Sequence, residues 1–162
     1  MICIKRMIWG NRIRGWLIAV VLLLSPGLAV GQTVQVPTLS LDGARAVLHA
    51  AEEKAQQLAA PSSLAVVNPA GDLILFEQMS GARPIGIELA IDKARSAALF
   101  QLPTQTEAAI NTGRPAAITA EQVQMQGGLP ILVGGTVVGA VGVSGFDKDN
   151  DVAIVEAGAA VK

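Results

Sequence analysis

Gly127–Asp151 reads GGLPILVGGTVVGAVGVSGFDKDND. Glycines at 127, 128, 134, 135, 139, 142 and 145 are set among Val, Ile and Leu, and an acidic cluster follows. Glycine weakens a strand, so this density points to backbone that turns, bulges or approaches something closely. Gly134-Gly135 lies between the apolar runs Pro130–Val133 and Thr136–Ser144. The pair supplies the positive φ of a tight turn, which predicts a hairpin. Its strands alternate little between apolar and polar residues, as expected of strands covered on both faces.

Working outward, the helical period appears three times. Leu41, Ala44, Leu48, Ala51, Ala55 and Leu58 form a stripe behind Ser40, ended by Pro61. Ile87, Ala90, Ile91, Ala94 and Ala98 form a second stripe within Gly86–Phe100, with Asp92, Lys93, Arg95 and Ser96 off it. A last helix is predicted over Asp151–Ala160, with carboxylates at its positive end. Between the first two helices, Ser63–Asn68 and Leu73–Met79 flank the turn residues Asn68–Asp72 and predict another hairpin. Pro103–Asn111 reads as a short helix, and Ala116–Gln126 as a short helix followed by an irregular strand. Antiparallel hairpins exclude a doubly wound parallel sheet. The expectation is α+β, a three-layer helix–sheet–helix sandwich.

The amino terminus has a different composition. Lys5, Arg6, Arg12 and Arg14 precede the apolar run Trp16–Leu24, and Ala29-Val30-Gly31 offers small residues for cleavage. That pattern predicts a signal peptide over 1–31 and a domain over 32–162, hence a periplasmic or secreted protein. The run is about half of the roughly 20 residues a membrane span needs, so no stable span is expected after cleavage. Cleavage would remove four of the 12 basic residues and none of the 13 acidic ones, leaving eight against 13, a balance of −5. It would also remove Cys3, Trp9 and Trp16, leaving Phe76, Phe100 and Phe146 as the aromatic residues. An acidic chain with no basic patch and so few aromatics does not suit nucleic acid.

Catalytic residue types are scarce. His49 is the only histidine, and no G-x-S-x-G motif exists for a hydrolase elbow. One histidine without cysteine does not build an ordinary zinc site. Asp147, Asp149 and Asp151 open like a calcium loop, but Val152 and Gly158 stand where its glycine and closing glutamate belong. The cluster is therefore expected to cap the last helix. Both nucleotide fingerprints also fail across Gly139–Gly145.

His49 falls one residue off the first apolar stripe, in line with Arg45, Glu52, Glu53 and Gln56. It is either a solvated histidine paired with Glu53 or an axial haem ligand, against this helix or across an interface. Met79 and Met125 are alternative ligands, or core filling. The glycine run has two compatible readings. Either a helix packs closely on a bare strand, or Gly127, Gly128, Gly142 and Gly145 wall a pocket for a flat ligand.

Five stretches in order resemble the GlcG/HbpS family, which includes the C-terminal domain of PduO-type proteins. They are Leu39–Ala46 (LSLDGARA), Ala65–Ile74 (AVVNPAGDLI), Asp92–Ala98 (DKARSAA), Leu102–Thr104 (LPT) and the glycine run, followed by Asp151 and Ala157-Gly158. Asn68 stands where the family usually has Asp. The resemblance implies a profilin-like α/β/α fold with a five-stranded antiparallel sheet, homo-oligomers, haem as cofactor and a sensor protein as partner. The first expectation is thus an exported haem-binding protein, sensing or sequestering, with His49 as its ligand. The second is a haem-independent binder of a small hydroxy acid, its carboxylate held by Arg83, Lys93 or Arg95. The third is an enzyme of weak oxidative or haem-degrading activity; this residue set favours binding over catalysis.

Overall fold

Ser40 starts the first helix. Its Oγ accepts a hydrogen bond from the Gly43 amide at 3.1 Å, the usual repair of an unsatisfied helix start. The computed structural model describes residues 34–105 and 123–161. Its elements are α1 (Leu41–Gln57), β1 (Ser63–Val67), β2 (Leu73–Gln78), α2 (Gly86–Phe100), β3 (Gly128–Val133), β4 (Thr136–Ser144) and α3 (Lys148–Ala159). The described strands form one antiparallel sheet in the order β2-β1-β4-β3.

Side chains alternate across the two central strands, and both faces are covered. Leu64, Val66, Val141 and Val143 join Ala44, Val47, Leu48 and Ala51 of α1 and Ile154 and Val155 of α3 in one cluster. Ala65, Val67 and Ala140 face the other way, onto Ala90, Ala94, Ala97 and Ala98 of α2. The three-layer expectation therefore holds for the described residues. The second layer of contact is made almost wholly of alanine, so α2 lies very close to the sheet.

Two loops are set by local chemistry. Asn68 Oδ1 accepts from the Ala70 and Asp72 amides, both at 2.9 Å, and closes the β1–β2 turn. Gly134 and Gly135 adopt φ of 58° and 82° at the β3–β4 turn, as the dipeptide predicts.

Three expectations need correction. The sheet has four strands among the described residues rather than five. Gln126, at the end of the expected irregular strand, belongs to no strand, and φ of 110° at Gly127 beside it takes the backbone out of the extended region. The last helix begins at Lys148, three residues before the expected start, because Asp147 is its N-cap. Most of the expected short helix Pro103–Asn111 lies outside the described residues, as does most of 116–126.

The end of α1 yields a stability prediction. Ala60 N donates to Ala55 O at 2.9 Å and Ala59 N to Gln56 O at 3.1 Å, with Ala59 at φ 49°. This is a Schellman closure whose left-handed residue carries a Cβ, where glycine is preferred. Ala59→Gly is expected to stabilise the fold by about 1 kcal/mol, read as a higher urea midpoint.

Candidate functional site

Two regions carry the polar chemistry, and they are built differently. On α1, the apolar positions Val47, Leu48 and Ala51 turn to the sheet, which leaves His49 outward with its side chain 71% exposed. Its Nδ1 lies 3.7 Å from Glu53 Oε1. A backbone hydrogen bond, and then the Glu53 charge, raise its pKa above 6.5, with smaller help from Glu52 and Glu77.

The second region lies at the carboxyl end of β4. Lys93 reaches from α2 to Asp151 of α3, with Nζ 2.8 Å from Oδ2 and side-chain exposures of 2% and 6%. Lys93 Nζ also donates to Val143 O at 2.8 Å, while Asp151 Oδ1 accepts from the Gly145 amide at 2.7 Å. Burial lowers the Lys93 pKa, Asp151 opposes that by hydrogen bond and charge, and the Arg83 charge adds to the lowering. The pair joins two helices on opposite faces of the sheet to the end of its central strand.

Arg83 and Phe146 flank this network. Arg83 Nη2 donates to Gly145 O, and its guanidinium carbon sits 5.0 Å from the Phe146 ring centroid. Phe146 is 67% exposed and Ile85 56% exposed. Ser62 and Ser63 lie close by. Ser62 Oγ is 2.7 Å from where a Gly145 Cβ would stand, and Ser63 Oγ is 3.0 Å from that of Gly86.

The three candidate anion-binding residues do not converge. Lys93 is committed to Asp151 and Val143, so it is not displayed to a dissolved carboxylate. Arg95 bonds Asp92 on its own helix at 3.1 Å and Gly71 O at 3.3 Å, against the β1–β2 turn. Arg83 alone stands at the loop end of the sheet without a carboxylate partner among the described residues.

The expected pocket wall is filled by protein. A Cβ on Gly142 would collide with Ala90 O, and one on Gly128 with Lys93 O, both backbone atoms of α2. One on Gly127 would stand 2.6 Å from Val143 O and 3.0 Å from Lys93 Nζ, and one on Gly145 3.0 Å from Asp151 Oδ1. Missing side chains at these positions admit the helix and the buried ion pair rather than a flat ligand. Close packing on a bare strand is the reading that holds. Met79 is half-buried against the α1 side of the core, whereas Met125 is 54% exposed.

Asp151 is the residue the sequence reading misplaced. Asp147 does cap α3, accepting from the Asp149 and Asn150 amides at 2.7 and 3.4 Å, but Asp151 points inward. The signal was present: Asp151, Ile154, Val155 and Gly158 are the buried positions of α3 and follow the helical period. Lys93 was misplaced for a related reason. The buried face of α2 runs through Gly86, Ala90, Lys93, Ala94 and Ala97, rotated away from Ile87 and Ile91.

As a haem site, the region around His49 fits in one respect. An exposed imidazole can reach iron, but Arg45, Glu53 and Gln56 beside it are exposed and polar. A macrocycle bound there needs apolar cover from a second surface. Among the described residues no group of three His, Cys, Asp or Glu side chains converges as a metal site, and no helix is long and apolar enough to cross a membrane.

A family model described as "Haem degrading protein HbpS-like" matches residues 39–160. Protein GlcG of Escherichia coli strain K12 is 38% identical over 108 residues, which are 65% of this chain and 81% of GlcG. A double mutant of HbpS from Streptomyces reticuli has a similar structure, with TM-score 0.73 and 29% identity over 81% of this chain and 91% of that one. A PduOC:haem complex has TM-score 0.68 and 25% identity, over 77% and 95% of the two chains.

Proposed function

The chain belongs to the HbpS-like family, and from that premise we propose that it is an exported haem-binding protein. The observation carrying this reading is its likeness to a haem complex across 77% of its length. His49 is the proposed axial ligand, because its imidazole is accessible and no buried partner competes for it. Met79 and Met125 are the alternative donors, and the exposure of Met125 favours it of the two. The polar surroundings of His49 support a haem covered by a second copy, hence a homo-oligomer. Export rests on the leader-like residues 1–31, and a sensor protein is the proposed partner of a haem-sensing form.

The test is a titration of the purified exported protein with hemin, whose Soret band reports iron ligation. The mass of the same sample reports whether residues 1–31 are gone. Wild type is expected to bind saturably, and His49→Ala to shift the Soret maximum and weaken binding about tenfold or more. A proton on the imidazole blocks ligation. Because the His49 pKa is raised, the loss of affinity on acidification is expected to set in at a higher pH than for an unperturbed imidazole. His49→Ala should flatten that profile. Saturable binding untouched by the substitution rejects His49 as ligand, and no saturable binding rejects the haem reading.

The family description favours a second reading, haem degradation. With dioxygen and a reductant such as ascorbate supplied, a degrading protein would bleach the Soret band progressively. A binding protein would hold it.

A further inference from the structure

Arg83 differs from the other described arginines. Arg45 and Arg95 each meet an aspartate on their own helix, at 2.7 and 3.1 Å. Arg83 has no carboxylate partner among the described residues, and its Nε is buried without an acceptor. The acid of the network, Asp151, is taken up by Lys93 and the Gly145 amide. A half-buried guanidinium that makes one bond among the described residues from its five N–H groups is a cation waiting for an anion.

Its surroundings specify what kind of anion. Helix α2 begins three residues later, at Gly86, and its N-cap Ile85 provides no side-chain cap. Gly86 N and Ile87 N of that turn donate to Arg83 O and Pro84 O, so the turn contributes its positive end rather than free amides, with Glu88 the acidic residue of the first turn. Ser63 is fully buried, and its Oγ has no partner among the described residues. That hydroxyl is directed at the first turn, since Oγ lies 3.0 Å and Cβ 3.4 Å from where a Gly86 Cβ would stand. Phe146 and Ile85 add exposed apolar surface beside the cation. An inorganic anion would leave that surface uncovered.

We propose that Arg83 and the first turn of α2 bind the carboxylate of an organic acid whose apolar body lies on Phe146 and Ile85. The guanidinium offers the bidentate geometry a carboxylate prefers, and its place over the Phe146 ring holds it in position. A haem propionate and a free monocarboxylic acid present the same group. The propionate source rests on the haem reading above; the free acid does not.

The test titrates the purified protein with hemin, hemin dimethyl ester and benzoate. If the carboxylate is a propionate, hemin binds about tenfold tighter than its diester, and Arg83→Gln brings that ratio near one without moving the Soret maximum. If it is a free acid, benzoate binds saturably, weakens about tenfold or more in Arg83→Gln, and hemin shows no preference over the ester. Arg83→Lys is expected to retain part of the effect, and Phe146→Ala, at an exposed ring, to weaken the same ligand with the thermal midpoint unchanged. The proposal is overturned if neither discrimination is seen in wild type, or if either survives in Arg83→Gln. Absence of all hemin binding removes the haem reading alone, and the benzoate titration then decides this one.

Discussion

Asp151→Ala is expected to destabilise the fold by about 3–5 kcal/mol, the usual consequence of removing one partner from a buried ion pair. The substitution strands the Lys93 ammonium, 2% exposed, with Val143 O as its remaining partner. It also leaves the Gly145 amide without its acceptor. A loss of that size is a large part of an ordinary domain's stability, so urea denaturation of the variant should begin at low denaturant. Replacing both partners is a different experiment. Lys93→Met with Asp151→Leu removes the stranded charge, and most of the lost stability should return. A loss under about 1 kcal/mol in Asp151→Ala would falsify the structural role of the pair. Equal losses in the single and double variants would argue that shape, rather than charge, governs this site.

Gly142→Ala is expected to cost about 3 kcal/mol, at the severe end of overpacking. The added Cβ would collide with Ala90 O and stand 2.5 Å from Ala94 N. Both are backbone atoms in the middle of α2, so no side-chain rotation relieves the contact. The helix must lift from the sheet, which opens the alanine-lined layer along its length. Gly158→Ala provides the internal scale. Its nearest neighbours stand at 3.2 and 3.3 Å and two of the three are side-chain atoms, so a shift of a few tenths of an ångström suffices. Thermal denaturation of the two variants should separate them clearly. Similar midpoints would show that α2 does not press on the strand at Gly142.

The candidate site was legible in pieces. His49 was placed outward on its helix from the spacing of Leu48 and Ala51, and it is found exposed beside Glu53. Arg83, Lys93 and Arg95 were grouped as cations that could hold a ligand carboxylate. The structure sends them to three places: Lys93 and Arg95 sit on one helix that turns about 100° per residue and so face different partners, and Arg83 lies in the loop before it. Phe146 drew no functional reading, because one aromatic after a glycine has no period. Only its position over the Arg83 guanidinium gives it meaning.

Sequence alone determined the order of the described elements and most of their ends, the start of the last helix excepted. Ser40, the Asn68–Asp72 turn and Gly134-Gly135 act over a few residues, and hydrophobic period acts within one helix or strand. Those interactions are the same wherever the element later packs. Tertiary structure decided what Gly127, Gly128, Gly142 and Gly145 are for. Their missing side chains make room for α2 and for an ion pair whose partners are 58 residues apart. No local pattern encodes that pairing, because charge carries no period and its partner is chosen only when two helices meet across the sheet.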